Sequence, residues 1–264
     1  MGMEKELQSS SRKSKVVSRI KGTSATLDVV KSQDGSDIVV KKLKKNIGVE
    51  EGKKNTLINE QLEDVEGVKA PEIFDYSRDK VVMEYMNSIS FEKYYIKHLR
   101  DERRIKRKLR YIAKALSSIH SISRNSKEEE VFVHGDFHPE NILIEKGSED
   151  VVIIDAPSSV YKDKKYRDLA LFMYHLNFKI PYKYYSPLAY FKSSSYIEYF
   201  FREYCKYFKE GLDLEELGRW RIWNLQNYME KVKKRKRNFF LKYCIILHLK
   251  CKIFILKNFK SKPF

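Results

Sequence analysis

A polar loop motif at residues 134–141 constrains this chain more than any other feature. The motif reads His-Gly-Asp-Phe-His-Pro-Glu-Asn, and a short apolar run at 151–154 ends at Asp155. This spacing predicts two loops joined by a short β-hairpin, with the side chains of Asp136, Asn141 and Asp155 directed into one cleft. A carboxylate that can accept a proton, together with two oxygen ligands suited to Mg²⁺, is the set of groups that phosphoryl transfer requires.

The length and composition are those of a water-soluble chain that can bury a sizeable core. The 264 residues are 42% hydrophobic and 34% charged. They include no uncharged apolar run of 18 residues, so we expect no transmembrane helix. The polar amino terminus lacks the apolar core of a signal peptide. Cys205, Cys244 and Cys251 lack metal-ligand spacing, so we expect reduced thiols and a cytoplasmic protein.

The positive charge is concentrated near the carboxyl terminus. The formal net charge is +17, and residues 231–264 hold twelve Lys and Arg residues and no acid. Apolar residues alternate with lysines in this segment, which suits the interface of an anionic membrane and a peripheral position at its inner face. A final helix packed on the rest of the chain is the alternative. We expect no nucleic-acid partner, because no recognised nucleic-acid-binding fold supports one.

The first third of the chain has the pattern of a small β-rich lobe. Residues 1–14 are typical of a disordered leader. Alternating and β-branched residues predict five strands, and a helical pattern follows the third of them. The strands are predicted as two within 16–30 and one each at 37–41, 72–76 and 81–86, with the helix at 53–67. We therefore predict a lobe of five antiparallel strands and one helix at residues 15–86.

The rest of the chain has a helical pattern. Apolar residues at helical spacing predict helices near 107–119, 168–177 and 213–232. This gives a larger, mostly helical lobe at 87–232, followed by the basic and apolar segment 233–264. A cleft is expected at the junction of the lobes, beside the polar loop motif.

Taken together, these motifs resemble the catalytic parts of the protein-kinase-like fold. Residues 134–141 match the H-x-D-x-x-x-x-N frame position for position. Gly135 stands where protein kinases usually carry Arg, as in the aminoglycoside phosphotransferase and choline kinase group of small-molecule kinases. The resemblance covers about Val16 to Tyr174. It implies a two-lobed α+β fold, ATP and Mg²⁺ as cofactors, and transfer of the γ-phosphate of ATP to a hydroxyl group.

The resemblance also implies a role for each residue of the polar loops. Asp136 would be the catalytic base, and Asn141 and Asp155 would hold Mg²⁺. His134 would support the loop, and Asp168 would bond to the loop backbone. The alternatives are that the Asp and Asn side chains only cap turns beside a strand, and that Asp168 is a plain helix N-cap.

In the β-rich lobe, Ile38–Lys41 fits the strand whose lysine contacts the α- and β-phosphates of ATP. Strand parity and the preceding apolar residues favour Lys41 over the neighbouring Lys42. Glu60, on the helix that follows, would be the partner of Lys41. Its rivals on that helix are Glu63 and Glu66.

Two further elements of the nucleotide site are implied by the resemblance. The turn that contains Gly22 would cover the phosphates, although an ordinary hairpin turn has the same pattern. Met83–Met86 resembles the hinge between the lobes, where the main chain of Glu84 and Met86 would bind adenine.

Two departures from protein kinases favour a small-molecule acceptor. Ala156-Pro157 follows the metal-binding position where protein kinases carry Phe-Gly, and only thirteen residues separate Asp155 from Asp168. That interval leaves no room for a long activation segment. The alternatives are a membrane-surface kinase of a lipopolysaccharide or glycolipid sugar, an atypical protein Ser/Thr kinase, and a non-catalytic kinase-like binding protein.

The helical lobe bears on the nature of the acceptor. Only seven acids follow residue 170, whereas a polycationic aminoglycoside would need a strongly acidic pocket. A neutral or anionic hydroxyl compound therefore fits better than an aminoglycoside. The kinase resemblance gives a sugar, an amino alcohol or a similar small molecule as the acceptor. Nine tyrosines between residues 174 and 207 could stack on such a compound or line helix surfaces.

Overall fold

The computed structural model describes residues 16–21, 25–32, 35–44, 46–122, 130–209, 212–234, 246–247, 249–251 and 253–254. The expected leader at 1–14 and the turn with Gly22 lie outside these ranges. The strands are β1 (Val16–Lys21), β2 (Ala25–Lys31), β3 (Asp37–Leu43), β4 (Val68–Lys69), β5 (Ile73–Tyr76), β6 (Lys80–Glu84), β7 (Ser88–Ser90), β8 (Val131–Phe132), β9 (Ile142–Glu145), β10 (Val151–Ile153) and β11 (Lys162–Asp163). The α-helices are α1 (Gly48–Leu62), α2 (Phe91–Lys97), α3 (Glu102–His120), α4 (Tyr166–Tyr174), α5 (Ile180–Lys183), α6 (Pro187–Phe208) and α7 (Leu214–Lys234).

The first strands form one antiparallel sheet of five, in the order β1-β2-β3-β6-β5. Few residues separate β1 from β2, β2 from β3 and β5 from β6, and strands joined by so short a segment pair antiparallel. The prediction of a five-stranded antiparallel lobe with one helix is confirmed. It places Lys41 in the middle of the sheet, paired with Leu27 on one side and Val81 on the other.

Helix α1 begins five residues before the predicted start, at Gly48, and ends five residues before the predicted end, at Leu62. Its two glycines allow the helix to approach the hairpin of β5 and β6. A Cβ atom on Gly48 would lie 2.1 Å from the carbonyl oxygen of Ser77, and one on Gly52 would lie 2.3 Å from the ring of Tyr76. The start of the helix therefore packs directly against the sheet. A side chain at either glycine position would prevent this packing.

The helical half is built around α3. The apolar stripe of this helix, Leu109, Ile112, Ala113, Leu116 and Ile119, is fully buried, as helical periodicity predicts. It belongs to a continuous core that runs from Ile58 of α1 to Leu217 of α7. A second sheet, in the order β4-β10-β9-β7, lies against this core. The segment that predicts a helix at 168–177 forms α4 and then a π-helix at His175–Lys179.

The described residues near the carboxyl terminus pack on a second, smaller core. Leu249 is fully buried and Ile253 nearly so, and they share a cluster with Leu225 and Val232 of α7. The burial of these apolar side chains agrees with the alternative in which the segment packs on the rest of the chain. None of the described helices has both the length and the apolar character needed to cross a lipid bilayer. Membrane association of residues 231–264 stays a prediction.

Candidate active site

A buried carboxylate holds the start of the polar loop in place. Asp168, in the first turn of α4, accepts hydrogen bonds from the backbone N–H groups of His134 (2.7 Å) and Gly135 (3.0 Å). His120 of α3 lies 3.3 Å from the same carboxylate. Burial alone would raise the pKa of Asp168, but these donors outweigh it and lower the pKa. The loop is thus fixed to the helical core by an ionised side chain.

His134 joins the two loops of the site. Its Nε2 donates to the carbonyl of Ile154 (3.0 Å), and its Nδ1 accepts from the N–H of Asp136 (3.3 Å). These two bonds define the neutral tautomer with the proton on Nε2. Burial lowers the pKa of His134 to about 4. The imidazole is therefore neutral at physiological pH. Its two hydrogen bonds connect the backbone of Asp136 to that of Ile154, the residue before Asp155.

Asp136 and Asn141 lie together in the polar loop. The Asn141 side-chain amide donates to the carbonyl of Asp136 (3.0 Å) and to its carboxylate (3.1 Å). The Asp136 carboxylate is about half exposed and lies 3.3 Å from Nε2 of His138. Burial raises the pKa of Asp136, but the bonds from His138 and Asn141 outweigh it and lower the pKa overall. The group is therefore an ionised and partly exposed carboxylate, the state in which it could act as a general base.

Asp155 lies at the end of the second loop in a left-handed backbone conformation, with φ of +65°. A non-glycine residue in this region is strained, and such strain is common where a side chain must point into a functional site. The N–H of the preceding Ile154 donates to the carbonyl of Asn141 (3.1 Å), so the two loops are directly bonded. The Asp155 carboxylate, 45% exposed, forms an ion pair with Nζ of Lys41.

Lys41 is buried between two carboxylates. Its Nζ lies 2.5 Å from Glu51 of α1 and also contacts Asp155. Burial lowers the pKa of Lys41, but the charges of Asp155 and Glu51 outweigh it and raise the pKa. Lys42 instead is exposed and pairs with Asp28 at 3.0 Å. The structure thus brings Lys41, and not its neighbour, into contact with Asp155.

The prediction that Glu60 is the partner of Lys41 is wrong. Glu60 is exposed on α1, nine residues after Glu51 and therefore two and a half turns along the helix. The error follows from the helix boundary, because a helix predicted to begin at residue 53 does not contain Glu51. The signal that was missed is the Glu50-Glu51 pair, since acids favour the first turn of a helix.

Two more residues of α1 reach the loops and were not singled out from the sequence. The Asn55 amide donates to the carbonyl of Ala156 (3.0 Å) and accepts from its N–H (3.3 Å). Lys54 is fully buried against the same loop. Glu51, Lys54 and Asn55 have the i, i+3, i+4 spacing of one helix face, which would have grouped them once the helix start was known.

The segment predicted as the hinge lies at the end of β6, and two of its main-chain groups already form hydrogen bonds within the protein. Glu84 is the last residue of β6, and its N–H already donates to the carbonyl of Glu72 (2.9 Å). Met86 is buried, and its carbonyl accepts from the hydroxyl of Ser88 (3.0 Å). A role in adenine binding stays a prediction for both residues.

A network of charges lies close to the polar loop. The two carboxylate oxygens of Glu140 pair with Lys179 (2.6 Å) and Lys183 (2.8 Å), and Lys183 also pairs with the buried Glu92 (2.5 Å). Burial raises the pKa of Glu140, but the two lysines outweigh it and lower the pKa to about 2. His138, Glu140 and His175 are near enough to share a cation. Both oxygens of Glu140 are engaged by lysines, however, so we assign no metal there.

The fold and this site define a protein of the kinase-like class. Residues 13–179 match the family model of the ABC1 atypical kinase-like domain. The match covers more than half of the chain, and the chain belongs to this family. The prediction of a protein-kinase-like protein is confirmed. No curated protein matches the sequence.

Solved structures show the same fold at low sequence identity. Amicoumacin kinase hAmiN, in complex with AMP-PNP and Ca²⁺, has a TM-score of 0.61 at 10% identity, covering 96% of this chain and 93% of the other. Aminoglycoside-3'-phosphotransferase of type VIII has a TM-score of 0.51 at 17% identity, covering 79% and 91%. Ethanolamine kinase of Plasmodium vivax has a TM-score of 0.50 at 13% identity, covering 89% and 81%. They confirm the predicted two-lobed α+β fold.

Proposed function

We propose that this protein is a phosphotransferase that moves the γ-phosphate of ATP to a hydroxyl group of a small molecule. One observation carries the proposal. Lys41 forms ion pairs with Glu51 and Asp155, and the Asn141 amide donates to Asp136. A backbone hydrogen bond from Ile154 to Asn141 connects these two groups of residues. Lys41, Asp136, Asn141 and Asp155 are thereby linked to one another, which supports their use as the phosphate-binding cation, the base and the two metal ligands of phosphoryl transfer.

Each residue has a role that follows from its position. Asp136 would orient the acceptor hydroxyl and accept its proton, while the acceptor oxygen forms a bond to the γ-phosphorus. The bond from that phosphorus to the β–γ bridging oxygen breaks, and its electron pair leaves on ADP. Lys41 would contact the α- and β-phosphates, held in place by Glu51. Its charge would offset that of the phosphates.

The oxygens of Asn141 and Asp155 fit a Mg²⁺ ion. The Asn141 amide nitrogen donates to Asp136, so its oxygen is turned away from that residue. The Asp155 carboxylate is 45% exposed, and carboxylate and amide oxygens are the ligands that Mg²⁺ prefers. When bound, the ion would neutralise charge that develops on the phosphates. The two side chains would hold it between the loops.

The acceptor is proposed to be a small hydroxyl compound that is not polycationic, such as a sugar or an amino alcohol. The short interval between Asp155 and Asp168 supports a small molecule over a protein. The folds of kinases named for amicoumacin and ethanolamine support the same class. The charge network near the polar loop, with Lys179 and Lys183 balancing Glu92 and Glu140, supports an acceptor that is not polycationic.

The test is a screen for ADP formation from Mg²⁺-ATP with sugars, amino alcohols, lipids and peptides as acceptors. With the acceptor found, Asp136→Asn should lower kcat by about 10²- to 10⁴-fold, because the amide cannot accept the proton. The matched control is Asp150→Asn, a partly exposed aspartate between β9 and β10, which should retain the activity of the wild type. Undiminished phosphate transfer by Asp136→Asn would contradict the assignment, and transfer to peptides alone would contradict the small-molecule class.

A further inference from the structure

Lys54 is a fully buried cation whose three bonding partners are main-chain carbonyls. Its Nζ donates to His134 (2.8 Å), Pro157 (2.9 Å) and Val160 (2.5 Å). The rings of Phe132 and Tyr161 lie 5.6 Å and 5.5 Å from the same nitrogen. A lysine in a protein interior is usually paired with a carboxylate, so this arrangement calls for a specific reason.

The three carbonyls belong to the two loops of the site. His134 precedes Asp136 by two residues, whereas Pro157 and Val160 follow Asp155. One ammonium group therefore fixes the distance between the loop that carries the base and the loop that carries the second carboxylate. The neighbouring Asn55 adds two bonds to Ala156. The sequence has Ala and Pro here in place of Phe-Gly, so these polar contacts hold a loop that lacks a large apolar side chain.

The Lys54 amine can donate to all three carbonyls only when it is protonated. An ammonium group has three N–H donors, one for each carbonyl, whereas a neutral amine has two. Loss of the proton would leave one buried carbonyl without a partner, which costs free energy. The spacing of the two loops is thus tied to the charge on Lys54.

We propose that Lys54 is a positioning residue for phosphoryl transfer: its ammonium group holds the Asp136 loop and the Asp155 loop at the spacing that the reaction requires. This inference rests on the proposed function. It adds a residue that touches neither the nucleotide nor the acceptor and acts through the two loops.

The pKa of Lys54 lies close to physiological pH. Burial lowers its pKa, Asp168 on α4 and Glu51 on α1 oppose the shift, Arg167 of α4 adds to it, and the net pKa is about 8. The other titratable groups that face it are His134, which is neutral at this pH, and Tyr161, whose pKa is raised by burial. The ammonium form is therefore present at neutral pH and lost above about pH 8.

The pH dependence of the free energy of unfolding distinguishes a positioning role of Lys54 from a role in fold stability alone. The folded-state pKa of Lys54 is below the value of about 10.4 expected in an unfolded chain. Between pH 8 and 10.4 the unfolded state binds more protons, so the contribution of Lys54 to the free energy of unfolding rises with pH. A loop movement that leaves Lys54 buried but removes one of its carbonyl acceptors has the opposite pH dependence, because loss of the proton favours it. If Lys54 positions the loops, their order should therefore fall over the same interval in which its contribution to global stability rises.

The first experiment is amide hydrogen exchange on the full chain without nucleotide, at pH 7.0 and pH 9.0, corrected for intrinsic rates. In the wild type, protection of residues 133–141 and 154–160 should fall about fivefold or more at pH 9.0, while urea unfolding shows no matching loss of stability. Lys54→Met should show low protection of both loops at either pH. The control Lys53→Met removes the adjacent, exposed lysine and should behave as the wild type.

The second experiment measures phosphate transfer with the acceptor from the screen. Lys54→Met should lower kcat about tenfold or more, change the KM for ATP less than about threefold, and lack the alkaline decline of kcat near pH 8. Equal loop protection in the wild type and Lys54→Met, or the same alkaline decline in both, would overturn the inference. If Lys54→Met does not fold, the pH response of the wild-type loops decides the question alone.

The two experiments distinguish this inference from the proposed function. Loop protection that follows Lys54, in a protein that transfers phosphate to no acceptor, would overturn phosphoryl transfer and with it the positioning role. Phosphate transfer that is lost in Asp136→Asn and retained in Lys54→Met would leave the proposed function intact and overturn the role of Lys54.

Discussion

Buried polar side chains decide the geometry of the site at the scale of single residues. Asp168 and His134 are each fully buried, and each bonds to the backbone of the polar loop. A buried polar group that loses its partner costs free energy, so each of these bonds resists any movement of the loop. The residues that never meet a substrate therefore determine where Asp136 and Asp155 lie.

The neutral state of His134 predicts a specific loss of stability in acid. Its folded-state pKa of about 4 is below the unfolded value of about 6.5, so its contribution is complete above pH 6.5 and is lost as the pH falls to 4. The expected loss is roughly 3 kcal/mol for a difference of this size. We expect His134→Gln, which cannot be protonated, to be less stable than the wild type at pH 7 and to approach it as the pH falls.

Urea unfolding at pH 7.0, 5.5 and 4.5 measures this difference directly. The other ionisable groups are common to both proteins, so their effects should largely cancel in the comparison. A constant difference in the free energy of unfolding across these pH values would show that His134 is not held neutral by burial.

At the scale of elements, helix α1 connects the sheet to both site loops. One face of the helix presents Glu51 to Lys41, Lys54 to three loop carbonyls and Asn55 to Ala156. The helix also contacts the β5–β6 hairpin, which it approaches through Gly48 and Gly52. The position of α1 therefore sets the position of Lys41 relative to Asp155.

The close approach of α1 to the hairpin predicts opposite effects for two glycine substitutions. Gly52→Ala would place a Cβ atom 2.3 Å from the ring of Tyr76, so it should destabilise the protein by about 1–3 kcal/mol. It should also weaken the binding of Mg²⁺-ATP, because the helix that carries Glu51 must shift. The control Gly218→Ala lies inside α7 with no atom within 4 Å of the added Cβ, and it should stabilise by about 0.5–1 kcal/mol.

Thermal unfolding and ATP titration of the two variants are the measurements. Since each adds one methyl group to a glycine inside a helix, intrinsic propensity alone would move both in the same direction. Stabilisation by Gly52→Ala equal to that by Gly218→Ala would show that the hairpin does not require the glycine.

The difference between α1 and the polar loops explains which features the sequence could predict. Asp136, Asn141 and Asp155 lie within one short segment, where residue types and spacing largely determine the local geometry. Glu51 is positioned by the packing of α1 on the hairpin, which allows a helix to include two glycines that lower its propensity by about 1 kcal/mol each. A local sequence pattern carries no information about the packing of α1 on the hairpin. Lys54 could not be identified for the same reason, because the three carbonyls it binds lie 80 to 106 residues away.

At the scale of the whole molecule, the two halves share structure rather than meeting only at a hinge. Strand β4 follows α1, yet it pairs in parallel with β10, directly before the Asp155 loop. Ile58 and Leu62 of α1 belong to the same core as α3 and α4. The site loops are therefore bounded on one side by β10 and on the other by α1, and changes in the core reach them through both.

The carboxyl-terminal residues extend this packing, and they give the last prediction. Leu249 is fully buried in the cluster with Leu225 and Val232, whereas Leu247, two residues earlier, is 50% exposed. Leu249→Ala should therefore lower the free energy of unfolding by about 2–4 kcal/mol, and Leu247→Ala should change it by less than about 0.5 kcal/mol. Binding of both variants to vesicles that contain phosphatidylglycerol tests the membrane interpretation in parallel. Unchanged stability of Leu249→Ala together with weaker vesicle binding would show that this side chain enters lipid instead of the core, because an apolar side chain cannot be buried in both places at once.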